Sequence, residues 1–338
     1  MPSEVGARYH GDEAAEPGLL DFAVNVRAAA PPPWLVERLA TRLVDLGRYP
    51  GGIDERSAVA AVAERHGRAA ADVAILAGAA EGFALLVNLR PKKVALVAPS
   101  FTEPDTVLSG AGIECVHVVL PAPFVLAGAR VPEDSDMVIV GNPTNPTAVL
   151  HPREQILALR RPGRILVVDE AFADAVPGEP ESVAGEALPD VLVLRSLTKT
   201  WALAGLRVGY ALGSPEVLAR LTSLRAHWPI GTLQLEAVAA CCAPDAVEQA
   251  RQGAEKLARL RAEMVAGLRV AGFPVSEGTA PFVLFGVPDP DGVRKKLRDN
   301  GIAIRRCDTF VGLPEGYLRA AVRPEWPVLI DALVAATR

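Results

Sequence analysis

Val191-Leu192-Val193-Leu194-Arg195-Ser196-Leu197-Thr198-Lys199-Thr200-Trp201 carries the reading of this chain. Its first four residues form an unbroken apolar run, the mark of a strand buried on both faces. Lys199 comes just past that run, walled by Trp201, Leu203 and Leu206. A lysine in such surroundings loses its proton readily and becomes an amine nucleophile. Ser196 adds a hydroxyl and Arg207 a cationic fork, both good phosphate ligands.

Outward from this stretch, similar apolar runs recur at Ala74–Leu76, Val94–Val97, Glu114–Val118, Met137–Val140, Ile165–Val168 and Val208–Leu212. They do not alternate with polar residues, and helical patterns lie between most of them. The expectation is an α/β fold: a mostly parallel sheet flanked by helices, plus a small α+β domain. The small domain starts with a helical stretch from about Pro244 to Gly272. It continues through strands near Phe282–Phe285, Ile302–Ile304 and Tyr317–Val322, with a helix before the second strand and another at the end. The expected division is 1–34 as a segment packing on the small domain, 35–243 as the large domain and 244–338 as the small one.

Three further stretches fall just after predicted strands, at the sheet edge where ligands bind in open α/β folds. Gly78-Ala79-Ala80-Glu81-Gly82 opens a helix, whose free N–H groups suit phosphate, although a plain strand-to-helix turn reads the same way. Asn142-Pro143-Thr144-Asn145-Pro146 makes a rigid turn that aims an Asn into the crevice. Asp169-Glu170 ends a buried strand, where a carboxylate costs free energy unless it is paired. A protonated pyridine nitrogen would pair it. A reactive amine, an anion site and such an acid together point to pyridoxal phosphate. Phe101 could stack on the ring or sit in the core. Arg305, Arg319 and Arg323 suit substrate carboxylate or phosphate groups, or else surface salt bridges.

Bulk properties narrow the field. The chain has 338 residues, 50% of them hydrophobic and 22% charged, with a net charge of −5. That balance gives no electrostatic reason to expect nucleic acid or an anionic membrane. No apolar run reaches the ~18 residues of a membrane span, and the start lacks the build of a signal peptide. Cys115, Cys241, Cys242 and Cys307 show no metal-ligand spacing, so reduced thiols, no metal and a cytoplasmic setting are expected. GxGxxG and GxxxxGK[ST] are both absent.

The order and spacing of Asn145-Pro146-Thr147, Asp169-Glu170-Ala171-Phe172 and Ser196-Leu197-Thr198-Lys199 with Arg207 resemble the fold-type I, class I/II pyridoxal-phosphate enzymes over nearly the whole chain. Arg48-Tyr49-Pro50, Gly78–Gly82 and Gly301–Arg305 resemble the histidinol-phosphate aminotransferase branch. His10-Gly11-Asp12, Asp21–Asn25, Arg305-Arg306-Cys307 and Tyr317–Arg323 resemble most the threonine-phosphate decarboxylases of cobalamin biosynthesis.

The resemblance implies roles for individual residues. Lys199 forms the internal aldimine and shuttles protons, and Asp169 holds the pyridine nitrogen. Asn145 binds the ring oxygen and Phe101 stacks on the ring. Ser196, Arg207 and the backbone at Ala79, Ala80 and Glu81 hold the cofactor phosphate. Tyr49 reaches the neighbouring subunit's phosphate site, so a homodimer is implied. Arg319 clamps the substrate carboxylate, Asn25 lines the substrate site, and His10, Arg305 and Arg323 are candidates for the substrate's own phosphate. Arg27 and Pro281 stand where the family often has Asn, and Phe172 where many members have Tyr. The function expected from the resemblance is decarboxylation of a small phosphorylated amino acid such as O-phospho-threonine. A histidinol-phosphate-type aminotransferase using a 2-oxo acid is the alternative.

Overall fold

The structure, a computed structural model, describes residues 11–338. Its strands in chain order are β1 (Leu20–Asp21), β2 (Val73–Leu76), β3 (Lys93–Ala98), β4 (Glu114–Val119), β5 (Met137–Gly141) and β6 (Ile165–Asp169). They continue as β7 (Val191–Ser196), β8 (Gly209–Leu212), β9 (Phe282–Gly286), β10 (Ile302–Ala303), β11 (Arg305–Arg306) and β12 (Tyr317–Ala321). Seven of them form one sheet in the order β2-β8-β7-β6-β5-β3-β4. The β3–β4, β3–β5, β5–β6 and β6–β7 pairings are parallel, while β8 runs antiparallel to both β2 and β7.

Successive residues of these strands enter two different apolar layers. Val138, Val140, Leu166, Val168 and Val193 belong to one. Met137, Ile139, Val167, Leu192 and Leu194 belong to the other. The first layer is closed by helices Gly52–His66 and Thr232–Cys242, the second by Ala79–Leu85 and Pro215–Leu221. With both faces covered, neither tolerates a polar side chain, which is why the strands read as continuous apolar runs. All strands of this sheet except β8 point one way. Their carboxyl ends therefore share an edge, and the turns holding Gly78, Phe101, Asn145, Asp169 and Lys199 meet there.

A second core gathers Met264, Leu268, Phe273, Val283, Phe285, Leu318 and Leu333. It is backed by a three-stranded antiparallel sheet in the order β11-β12-β9. β1 pairs in parallel with β10, Leu20 opposite Ile302, and carries the fully buried Phe22 into this core. Helix Pro33–Thr41 turns back to the large sheet, where Trp34 meets Trp201 edge-on with ring centroids 5.6 Å apart. The expected strand Ile302–Ile304 is broken into two short pieces. β10 serves β1, β11 serves β12, and the chain changes partners at buried Ile304.

The 27-residue helix Pro244–Val270 links the two cores. Ala246 and Ala250 near its start lie in the large core, and Met264, Val265 and Leu268 near its end lie in the small one. Gly272, at φ +90°, supplies the left-handed residue that stops it. No helix among the described residues is long and apolar enough to cross a membrane.

Candidate active site

The sheet edge and the small unit enclose a cavity of about 460 Å³. Lys199, Asp169, Asn145, Ser196, Arg207, Phe101, Ala79, Ala80, Asn25, Arg305 and Arg319 all line it. Glu81, Tyr49 and Arg323 are not among its walls, and His10 lies outside the described residues.

Asp169 ends β6, in register with Gly141 of β5 and Leu194 of β7. Its Oδ1 accepts the Ala171 N–H at 3.0 Å, and it pairs with no cation within ion-pair distance among the described residues. Desolvation pushes its pKa up to about 6, against the pull of the Lys199 charge. A carboxyl in this state is stabilised by a cationic partner on its open side.

The candidate anion pocket is built by close approach. Ser196 Oγ and Thr198 Oγ1 lie 2.7 Å apart, and Thr198 N–H donates to Ser196 Oγ at 3.3 Å. Arg207, in the left-handed region at φ +56°, lies against Gly78, where a Cβ would come within 3.0 Å of its Nη2. A Cβ on Gly209 would fall 2.5 Å from the Arg195 carbonyl oxygen and 3.1 Å from Ala79 N. These two glycines let the start of helix Ala79–Leu85 close onto β7 and β8. Glu81 departs from expectation. Its carboxylate faces away, accepting the Ala77 N–H at 2.6 Å and pairing with Arg225 at 3.0 Å. Its own N–H donates to Gly78 O at 3.2 Å, so the open backbone cradle narrows to Ala79 and Ala80.

Arg319 on β12 stands opposite Arg305 on β11. Arg319 Nη1 donates to Asn145 Oδ1 at 2.6 Å and Nη2 to Ala23 O at 2.7 Å. With the Asn25 amide turned to satisfy both groups, its Oδ1 accepts from the same guanidinium at 3.1 and 3.3 Å. The Arg319 guanidinium rests on Phe282 at 5.1 Å, and its buried Nε has no partner. Burial draws its pKa down to about 9, so it remains a cation at neutral pH. Arg305 donates to Arg306 O at 2.7 Å and Thr309 Oγ1 at 3.0 Å, and lies over Phe310 at 5.0 Å.

Arg323, expected at the substrate phosphate, is spent elsewhere. It donates to the carbonyls of Asp21 and Val24, both at 3.1 Å, and straps the opening segment down. Tyr49 is 72% exposed and stacks on Trp228 with centroids 4.2 Å apart.

Sequence reading missed a buried ion cluster directly beneath the site. Arg195 Nη1 donates to Glu170 at 2.9 Å and Glu179 at 2.7 Å, and Nη2 bonds Asp174. Arg65 pairs with Asp174 at 2.9 Å. The signal was present in the charged residues Glu170 and Arg195, each next to a site residue at the end of a buried strand. Thr198 was also passed over, although its hydroxyl completes the pair with Ser196.

The donor set fits pyridoxal phosphate: an amine at Lys199, a carboxyl with raised pKa open to a cation, and hydroxyls with a guanidinium at a glycine-lined helix start. Among the described residues no His, Cys, Asp and Glu side chains gather in a group able to hold a metal ion.

Comparison with known proteins agrees. The family model "Aminotransferase class I and II" matches residues 19–328. The chain is 67% identical to a histidinol-phosphate aminotransferase from Mycobacterium tuberculosis, over 97% of this chain and 90% of that one. The solved histidinol-phosphate aminotransferase of Clostridium acetobutylicum superposes with a TM-score of 0.84 at 22% identity, covering 94% of this chain and 98% of that one. The enzyme of the same name from Sinorhizobium meliloti, solved with pyridoxal-5'-phosphate, gives a TM-score of 0.78 at 20% identity over 93% and 88% of the two chains. The expectation of a threonine-phosphate decarboxylase, with its lyase chemistry and link to cobalamin, is overturned by the 67% identity to an aminotransferase. The motifs behind that expectation lie on a fold that supports several chemistries, so they could not decide between them. With its sheet, its lysine–aspartate edge and a family match spanning most of its length, the chain belongs to the class I and II aminotransferases.

Proposed function

We propose that this enzyme transfers an amino group from histidinol phosphate, or a close phosphorylated analogue, to a 2-oxo acid. The observation carrying this reading is the 67% identity to histidinol-phosphate aminotransferase over nearly the full chain. The cofactor is pyridoxal phosphate, which when bound supplies an aldehyde and an electron-accepting ring.

In this reading Lys199 holds the cofactor through its Nζ and moves the proton at the substrate carbon that bears nitrogen. Asp169 keeps a proton on the ring nitrogen, its raised pKa being lowered again by that cationic partner. Asn145 donates to the ring oxygen and Phe101 covers the ring face. Ser196, Arg207 and the N–H groups of Ala79 and Ala80 hold the cofactor phosphate. Arg319 and Asn25 take a substrate carboxylate, and Arg305 the substrate phosphate. The Arg319 guanidinium rests on the Phe282 ring and bonds the neutral oxygens of Asn145 and Ala23, a setting that favours an incoming anion.

We further propose a homodimer in which Tyr49 completes the partner's phosphate site. Val44, Tyr49, Ile53, Leu224 and Trp228 are all more than half exposed, an apolar surface that favours burial against a second copy.

The test uses purified holoenzyme with histidinol phosphate, with and without 2-oxoglutarate. The reading requires glutamate to form in step with loss of the amine, and no carbon dioxide. Absence of turnover with both substrates present, or product formed without the oxo acid, would overturn it. Sedimentation of the wild type and of Trp228→Glu tests the dimer.

A further inference from the structure

Arg27 is one of the positions where this chain departs from its family, and nothing above gives it a task. Its place is fixed from two directions. Its backbone N–H donates to the Lys199 carbonyl at 3.0 Å, tying it to the lysine loop. Its guanidinium lies against Gly253 in helix Pro244–Val270, where a Cβ would come within 2.0 Å of Nη2 and 2.1 Å of Nη1. Glycine in the interior of a long helix is unfavourable, and at this position it makes room for the arginine fork.

The guanidinium forms no hydrogen bond or ion pair with any described residue. It lines a cavity of about 30 Å³ together with Lys199, Asn25, Phe172, Thr200 and Pro281. Asn25, Phe172 and Lys199 line the large cavity as well, so the two spaces share a wall. Asp174 also borders the small space; its Oδ1 is held by Arg65 and Arg195, while its buried Oδ2 has no partner. Desolvation lowers the pKa of Arg27, which marks a charge short of counter-charge.

We propose that Arg27 recognises the distal carboxylate of a dicarboxylic 2-oxo acid, the acceptor of the amino group, in the small cavity beside Lys199. This rests on the aminotransferase reading. A space of this size holds the two oxygens of a planar carboxylate, and a guanidinium fork matches them with two parallel hydrogen bonds. The larger tetrahedral phosphate belongs with Arg305 in the larger cavity. Arg319 takes the carboxylate next to the reacting carbon, and Arg27 reads the other end. An acceptor lacking that second carboxylate leaves Arg27 unpaired and is selected against.

The experiment compares wild-type holoenzyme with Arg27→Asn, Gly253→Ala and the double variant. Calorimetry measures binding of glutarate, an unreactive dicarboxylate, and of butyrate, its monocarboxylate counterpart. Steady-state kinetics measures KM for 2-oxoglutarate, pyruvate and histidinol phosphate. The wild type should bind glutarate at least about tenfold more tightly than butyrate, and Arg27→Asn should abolish that preference. KM for 2-oxoglutarate should rise about tenfold or more in Arg27→Asn, with KM for pyruvate and histidinol phosphate within about twofold. Gly253→Ala, which displaces the fork while the side chain remains, should weaken glutarate binding and add nothing to Arg27→Asn. Equal binding of glutarate and butyrate by the wild type, an Arg27→Asn variant with unchanged glutarate affinity, or a raised KM for histidinol phosphate alone would each overturn the proposal. Arg27-dependent glutarate binding by an enzyme that does not turn over histidinol phosphate would support this subsite while refuting the proposed amino donor.

Discussion

Asn145 and Arg319, 174 positions apart in the chain, are joined by a hydrogen bond of 2.6 Å. One follows β5 in the large sheet and the other sits on β12 of the small unit. The residue proposed to meet the cofactor ring oxygen thus also orients the guanidinium proposed to meet the substrate. Asn145→Ala and Arg319→Ala should therefore be non-additive in kcat/KM. The expected coupling is about 1–2 kcal/mol, the range for residues in direct contact. Strict additivity in the double-mutant cycle would show that the bond has no functional weight.

Lys199→Ala should lose the yellow absorption of the lysine-linked cofactor and lower kcat by at least about 10²–10⁴-fold, the usual worth of a positioned acid–base group. A variant that keeps the wild-type spectrum and rate would remove Lys199 from the mechanism.

Asp169 gives the cofactor-free protein a pH signature. Burial pushes its carboxyl up from an ordinary 3.8 to about 6 in the folded protein. Between those values the folded state binds more protons than the unfolded one. Stability is therefore greatest at low pH for this group and is lost as pH rises through about 6. Asp169→Asn should remove that loss and be more stable than wild type above pH 6 by ~3 kcal/mol, with little difference near pH 4. Denaturant titrations at both pH values measure it, and an opposite slope would contradict the assignment.

Glu170→Gln should destabilise the protein by about 3–5 kcal/mol, because it leaves the Arg195 charge buried with one partner fewer. Arg195 is only 1% exposed, so water cannot replace the lost carboxylate. Chemical denaturation reads the loss, and a change under 1 kcal/mol would mean that Glu179 and Asp174 suffice.

Gly209→Ala tests the close approach that shapes the anion pocket. Its Cβ would meet backbone atoms on both sides, which cannot swing aside as a side chain could. A cost of about 1–3 kcal/mol is expected, together with weaker retention of the cofactor on dialysis. Unaltered stability and retention would show that the helix start has slack.

Much of this architecture was legible from the sequence because its strongest constraint is local. Residues such as Asp169 and Lys199 stand out when they end runs like Ile165–Val168 or follow Val191–Leu194, where two apolar layers exclude every polar group. Strand direction carried no such mark: the short β8 run reads the same whichever way it points, and its antiparallel placement appears only in three dimensions. Glu81 and Arg323 sat in the right motifs, but each side chain found a nearer partner, Arg225 in one case and backbone carbonyls in the other. The Arg195 cluster gathers residues from β7, from the segment 170–179 and from the helix Gly52–His66, a convergence that linear spacing does not display. The choice between decarboxylation and transamination turns on how substrate is held against Arg319 and its neighbours, and residue identity alone does not encode orientation.

The helix Pro244–Val270 has one end embedded in each core. At 1.5 Å per residue it is a rod about 40 Å long. Such a member has no hinge to swing on. Any rotation of the small unit toward the sheet edge must be stored as curvature along the rod, and the cleft then springs back with the stiffness of a helix. Gly253, the softest point in its first half, is where Arg27 leans against it. An anion drawing that fork toward Lys199 would remove a side load from the beam at the place where it bends most easily.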